Sequence, residues 1–268
     1  MKAYIFPGQG SQKPGMGKDL FNDIEESREL FKRANDILNF NITELMFDGT
    51  NEDLLQTKVT QPAIFIHSVI LALTSKTFKP DVCAGHSLGE FSALVASKSI
   101  SFENGLKLVS IRANAMQRAC QETKGTMAAI LGLSDDIVES ACNEIDGIVK
   151  PANYNCPGQL VISGELNAVE KTCELLKEKG ARRALILPVS GAFHSDLMNS
   201  ASNELKEGIN NIDFKAPNCP IYQNFTASEV IDPLVIRENL LNQLTGPVLW
   251  TQSINKMISN GVKEFIEV

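Results

Sequence analysis

Short apolar runs bounded by Gly, Pro and polar clusters alternate with longer stretches whose apolar positions recur every three or four residues. This is the spacing of strands and amphipathic helices in an α/β protein. Residues 3–6 form the first such run and predict a buried strand, followed by the loop Pro7-Gly8-Gln9-Gly10-Ser11-Gln12. Over residues 19–38, Leu20, Phe21, Ile24, Leu30, Phe31, Ala34, Ile37 and Leu38 keep helical spacing, and residues 42–47 predict a shorter helix. Thr60-Gln61-Pro62 opens a helix over about residues 63–78, with proline in its first turn. That helix is apolar on most faces, which predicts burial. The apolar run 82–84 leads into Gly85-His86-Ser87-Leu88-Gly89, helical segment 91–97 follows at once, and 102–120 is a further helix.

From Gly125 the texture changes. Strand 126–132, helix 135–144, strand 148–153, strand 159–163, helix 166–179 and strand 183–188 follow in the order βαββαβ, the split ferredoxin-like unit. The α/β alternation resumes at Ser190-Gly191-Ala192-Phe193-His194 with a helix to about Ile209. It continues through short runs 213–216 and 221–224, helices 236–244 and 250–259, and a last strand 263–268. The expected architecture is an α/β-hydrolase-like large domain with a mostly parallel sheet, residues 1–123 and 190–268, carrying an inserted ferredoxin-like small domain, residues 124–189. A terminal strand without a covering helix leaves an apolar face open, so a further C-terminal segment is expected.

Composition narrows the function classes. The chain has 268 residues, 43% of them hydrophobic, which suffices for a sizeable core. A net charge of −7 argues against a general nucleic-acid or anionic-membrane binder. The six cysteines are scattered, without C-x-x-C pairs or clusters at metal-ligand spacing, so free thiols, a reducing compartment and no metal are expected. The N-terminal apolar run is too short for a signal sequence or a membrane span, and a cytoplasmic soluble protein is expected. Lys13 stands where a third glycine would complete a dinucleotide fingerprint, which excludes NAD binding by this loop.

The chemistry concentrates at Gly85-x-Ser87-x-Gly89. Between a strand and a helix this is the setting of a nucleophile elbow, with glycines where the two backbones close on each other. A serine in an ordinary Gly-rich turn is the competing account. A nucleophilic serine needs a base, and the chain has three histidines. His67 lies in a buried helix and reads as a satisfied core residue, while His86 should point to the far side of the turn. His194 remains, with helix capping as its alternative. Arg112, among Leu106, Leu108, Val109 and Met116, is costly to bury without an anion, either an internal carboxylate or that of a ligand.

Taken together, Phe6-Pro7-Gly8-Gln9-Gly10-Ser11-Gln12, Gln61-Pro62-Ala63, Gly85-His86-Ser87-Leu88-Gly89-Glu90, Arg112 with Met116, the stretch from Asn153 to Gln159 and Gly191-Ala192-Phe193-His194-Ser195 resemble the malonyl-CoA:acyl carrier protein transacylases. The resemblance covers nearly the whole chain and includes fatty-acid and trans-acting polyketide enzymes. It implies Ser87 as acylated nucleophile, His194 as base, backbone N–H groups of Gln9 and Leu88 as oxyanion hole, and Arg112 as the grip on the malonyl carboxylate. It further implies that the Gln243 carbonyl orients the imidazole and that Phe193, Asn155 and Met116 shape the cleft. The substrates are then malonyl-CoA and holo-acyl carrier protein, with no cofactor; nothing in the sequence indicates an obligate oligomer, so a monomer is expected. Lys177, Lys179, Arg182 and Arg183 are either a docking patch for an acidic carrier or a solvated face. A serine acyl hydrolase and a non-catalytic docking module are the rival readings.

Overall fold

A computed structural model describes residues 1–189 and 191–268; Ser190, where the larger domain is expected to resume, lies outside them. The chain runs through β1 (Lys2–Phe6), α1 (Lys18–Asp23), α2 (Glu25–Leu38), α3 (Ile42–Asp48), α4 (Asn51–Leu55), α5 (Thr57–Thr74), β2 (Val82–Gly85), α6 (Gly89–Ala96) and α7 (Phe102–Glu122). Next come β3 (Gly125–Leu131), α8 (Asp135–Glu144), β4 (Val149–Cys156), β5 (Gln159–Glu165), α9 (Leu166–Glu178) and β6 (Arg183–Ile186). A 3-10 turn at Asp196–Met198, α10 (Asn199–Asn210), β7 (Ile221–Gln223), β8 (Ser228–Val230), α11 (Pro233–Gln243), α12 (Trp250–Ser259) and β9 (Glu264–Glu267) complete it.

The strands form two sheets. One has the order β8-β7-β2-β1-β9, with β7, β2, β1 and β9 parallel and β8 antiparallel at one edge. The other, β4-β5-β3-β6, is antiparallel throughout and carries α8 and α9, as a ferredoxin-like unit requires. Parallel strands are covered on both faces, and β2 is accordingly buried along its whole length. The C-terminal ends of β1, β2 and β7 share one edge of the parallel sheet, where open α/β sheets place their ligands. The segment after α11 bridges the two sheets by main-chain bonds: Val248 N–H donates to the Ala152 carbonyl of β4 at 2.7 Å, Tyr154 N–H to the Val248 carbonyl at 3.0 Å, and Leu249 N–H to the carbonyl of Asn224, next after β7, at 2.9 Å.

Helix ends follow local chemistry. Thr50 and Asp53 form a capping box at α4, Ser101 caps α7, and Asp232 caps α11 ahead of Pro233. Where the structure departs from the sequence reading, capping and tertiary bonds explain it. The periodic stretch 19–38 is two helices, broken at Ile24, because Arg28 donates from Nε to the Phe21 carbonyl at 2.8 Å and from Nη2 to that of Asn22 at 2.6 Å. The helix expected over 63–78 begins at Thr57 and ends at Thr74, so Pro62 lies inside it, one turn later than expected. Run 213–216 is not a strand: Lys215 exchanges bonds with Ser99, N–H to carbonyl and hydroxyl to carbonyl, both at 2.9 Å. Hairpin strand β8, polar and three residues long, had no pattern to announce it.

The turn between β2 and α6 is the tightest constraint. A Cβ on Gly85 would stand 1.9 Å from the carbonyl carbon of Gly89, and one on Gly89 would stand 2.1 Å from the Phe6 carbonyl oxygen. Backbone atoms cannot give way there, so Gly85→Ala should cost about 3 kcal/mol, or roughly 6–12 °C of Tm, in a thermal melt. A variant that melts with the wild type would show that strand and helix can separate.

Candidate active site

Ser87 is held at φ 52°, a left-handed conformation unusual for a residue with a side chain, at the apex of that turn. Its N–H donates to Asn224 Oδ1 at 2.6 Å and its carbonyl accepts from Gln243 Nε2 at 2.8 Å. Asn224 donates from Nδ2 to the Gly85 carbonyl at 2.6 Å and from its own N–H to Glu90 Oε2 at 2.8 Å. Glu90 is fully buried and also accepts from Gln223 Nε2 at 2.9 Å. Burial pushes its carboxyl up, against these bonds and the Arg112 charge.

The hydroxyl meets two side chains. Ser87 Oγ lies 2.8 Å from His194 Nε2, and Arg112 Nη2 donates to it at 3.0 Å. His194 Nδ1 lies 2.9 Å from the Gln243 carbonyl and 3.1 Å from that of Gly246. Carbonyl oxygens only accept, so Nδ1 carries the proton and Nε2 is left to accept from the serine. His194 itself has φ 58°, in a loop braced by Ser195 Oγ, which donates to the Ala192 carbonyl at 2.6 Å. Burial, aided by the positive charge of Arg112, holds the imidazole pushed down to about 3.

Arg112 is 1% exposed, yet no carboxylate hydrogen-bonds it among the described residues. Its partners are neutral: Gln61 Oε1 at 2.7 Å, Gln243 Oε1 at 3.5 Å and the Ser87 hydroxyl, with Nε unsatisfied and the guanidinium 5.6 Å from the Phe91 ring centre. The internal-carboxylate account of this residue therefore fails as a direct pair. Glu90 acts on it through space, while burial draws its pKa down to about 10. A buried cation with donors left for an anion, beside a nucleophilic hydroxyl, suits a substrate with a carboxylate near its reacting carbonyl.

Gln9, Leu88, Met116, Asn155 and Phe193 line the same cleft, with Met127, Asn153, Val161, Leu187 and Val189 completing the wall. The N–H groups of Gln9 and Leu88 have no intramolecular acceptor among the described residues. His86 departs from expectation. Rather than turning away it lines the cleft, with Nε2 3.0 Å from Asn155 Oδ1 and its ring edge-on to Trp250. His67 is half-buried and its imidazole makes no hydrogen bond among the described residues, so it is not the satisfied core residue expected. Gly246, Asn224 and the buried role of Gln61 were missed, because carbonyls and single amides leave no pattern in a sequence.

Among the described residues, no group of three His, Cys, Asp or Glu side chains is placed to hold a metal ion. No helix is long and apolar enough to cross a membrane. Since the neutral imidazole is the reactive form, its lowered pKa should keep Ser87 reactive as pH falls through the ordinary histidine value of 6.5, with loss only toward pH 3. The rate of serine labelling by an alkyl fluorophosphonate against pH checks this; an inflection at 6.5 would contradict it.

The chain is similar to known proteins along nearly its whole length. A malonyl CoA-acyl carrier protein transacylase of Bacillus subtilis is 41% identical over 271 residues, spanning 99% of this chain and 86% of the relative. One from Staphylococcus aureus is 41% identical over 269 residues, spanning 99% and 87%. The structure of an acyl carrier protein S-malonyltransferase from Vibrio cholerae superposes with a TM-score of 0.95 at 41% identity, covering 99% of this chain and 89% of that one. A malonyl-transacylase solved in complex with a type II polyketide synthase acyl carrier protein superposes with a TM-score of 0.94 at 38% identity, covering 99% and 88%. Residues 3–268 match the acyl transferase domain family from the first strand to the last, so the chain is a member of that family.

Proposed function

We propose that this protein moves a malonyl group from malonyl-CoA to the pantetheine thiol of an acyl carrier protein, through an ester on Ser87. The observation that carries this reading is the meeting of His194 Nε2 and Arg112 Nη2 on Ser87 Oγ, at 2.8 Å and 3.0 Å. Relatives of 41% identity are named for this transfer.

His194 takes the hydroxyl proton as Ser87 Oγ attacks the thioester carbonyl. The negative oxygen of the tetrahedral intermediate is received by the unpartnered N–H groups of Leu88 and Gln9. As the C–S bond breaks, His194 returns the proton to the departing CoA sulfur, leaving malonyl-Ser87. The carrier thiol then enters by the same route, giving its proton to His194, and the steps reverse. One thioester replaces another, so the exchange is nearly balanced and runs in both directions. Throughout, Arg112 holds the free carboxylate as a fork, for which an ammonium group would be a poor substitute. Phe193 crowds any α-branch on the acyl group, an effect of about 1–3 kcal/mol.

The wider reading follows from the same site. Residues 1–123 and 190–268 act as the catalytic domain and 124–189 as the small domain that closes the cleft, a division supported by the separate sheets. The enzyme works as a cytoplasmic monomer without a cofactor. Arg182 and Arg183, exposed beside Leu185 and Ile186, suit an acidic carrier with an apolar contact; Lys179 is already paired with Glu144. A hydrolase of uncharged acyl groups would gain nothing from burying Arg112, so that reading is not favoured.

Mixing with malonyl-CoA should add one malonyl group by intact mass, absent in Ser87→Ala; no adduct on the wild type would end the proposal. Arg112→Ala should lower kcat/KM for malonyl-CoA by about 10²-fold or more, the scale of removing one partner of a buried charge pair. It should also raise the relative use of acetyl-CoA. An equal loss for both substrates would mean that Arg112 serves the serine and not the carboxylate.

A further inference from the structure

We infer that the side-chain amide of Gln243 sets the orientation of the Ser87–Leu88 peptide, whose N–H receives the oxyanion, and that Gln243 is thereby a positioning residue through a group separate from its main chain. The inference rests on the acyl-transfer reading above. Gln243 is fully buried, and its Nε2 donates to the Ser87 carbonyl at 2.8 Å. The same carbonyl accepts from the Glu90 N–H at 3.1 Å. In a trans peptide the C=O and the following N–H point in opposite directions. Two donors holding the Ser87 carbonyl on the inner side therefore turn the Leu88 N–H toward the cleft that Leu88 lines. A carbonyl polarised by two donors also makes its own amide N–H the stronger donor.

The other end of Ser87 is held as firmly, by Asn224 Oδ1 at 2.6 Å, so a backbone at φ 52° is clamped at both of its peptides by side chains. Gln243 thus acts three ways: its main-chain carbonyl holds His194 Nδ1, its Nε2 holds the peptide, and its Oε1 accepts from Arg112 at 3.5 Å. Substitution separates these, because any residue keeps the main-chain carbonyl. The bond to Arg112 bears on a substrate carboxylate, whereas the peptide bears on every acyl or phosphonyl group that reacts at Ser87.

The test compares Gln243→Met, which keeps the volume and loses the amide, with wild type. Two rates are followed by intact mass: acylation by malonyl-CoA and labelling by an alkyl fluorophosphonate, which has no carboxylate. Both rates should fall together, by about 10–100-fold, somewhat less than the loss of an oxyanion donor itself. The pH at which reactivity is lost should stay unchanged, since His194 keeps its carbonyl partner. Gln243→Leu, which also lacks a donor and brings no charge, should show the same loss toward the fluorophosphonate, and serves if the methionine variant melts early. Loss confined to malonyl-CoA would assign the side chain to Arg112 and overturn the inference, as would wild-type rates in both assays. Failure of the wild type to form malonyl-Ser87 would instead overturn the acyl-transfer reading on which the inference rests.

Discussion

The approach of β2 to α6 at Gly85 and Gly89 is the constraint from which the site follows. With less than van der Waals room for a Cβ at either glycine, the chain must reverse within the three residues His86, Ser87 and Leu88, and Ser87 takes positive φ. A serine so placed stands clear of the sheet edge, with helix α6 beginning beneath it. The strain is tolerated because its neighbours over-determine the geometry: Asn224 and Gln243 hold the two peptides of Ser87, and Glu90 holds Asn224 in turn.

Electrostatics at the site depend on what is withheld. Arg112 is buried against amides and a hydroxyl, with its nearest compensating carboxylate, Glu90, beyond hydrogen-bond reach. An anion entering the cleft therefore meets a cation that no internal partner has neutralised. The same positive charge, together with burial, keeps His194 unprotonated, so in the proposed reaction one residue both attracts a negatively charged substrate and preserves the base. An aspartate paired with His194, as in many serine hydrolases, would add a negative charge beside the imidazole; two main-chain carbonyls orient it without one.

The segment between α11 and α12 joins these parts. Its Gly246 carbonyl accepts from His194, and two residues later Val248 pairs with β4 of the antiparallel sheet on both its N–H and its carbonyl. The wall of the cleft supplied by Asn153 and Asn155 is thereby registered against the imidazole by main-chain hydrogen bonds, which are short and directional. Flexible side-chain contacts would hold the two sheets less closely.

The sequence by itself determined the α/β class, the inserted βαββαβ unit, the elbow at Ser87 and the buried cation at Arg112, because periodicity, glycine sterics and the cost of a buried charge act within a few residues of one another. It also singled out His194, through the scarcity of histidines and the family resemblance. Where Arg28 breaks a helix was decided by side-chain bonds to the preceding turn, and where Ser99 rather than a strand satisfies Lys215, and which way His86 turns, by bonds between distant segments. The hold on Ser87 by Asn224 and Gln243, and on His194 by two carbonyls, belongs to the tertiary structure as well. A backbone carbonyl is present in every residue and an amide in many, so only folding, by bringing positions 49 to 156 residues apart within hydrogen-bond distance, gives those groups their part.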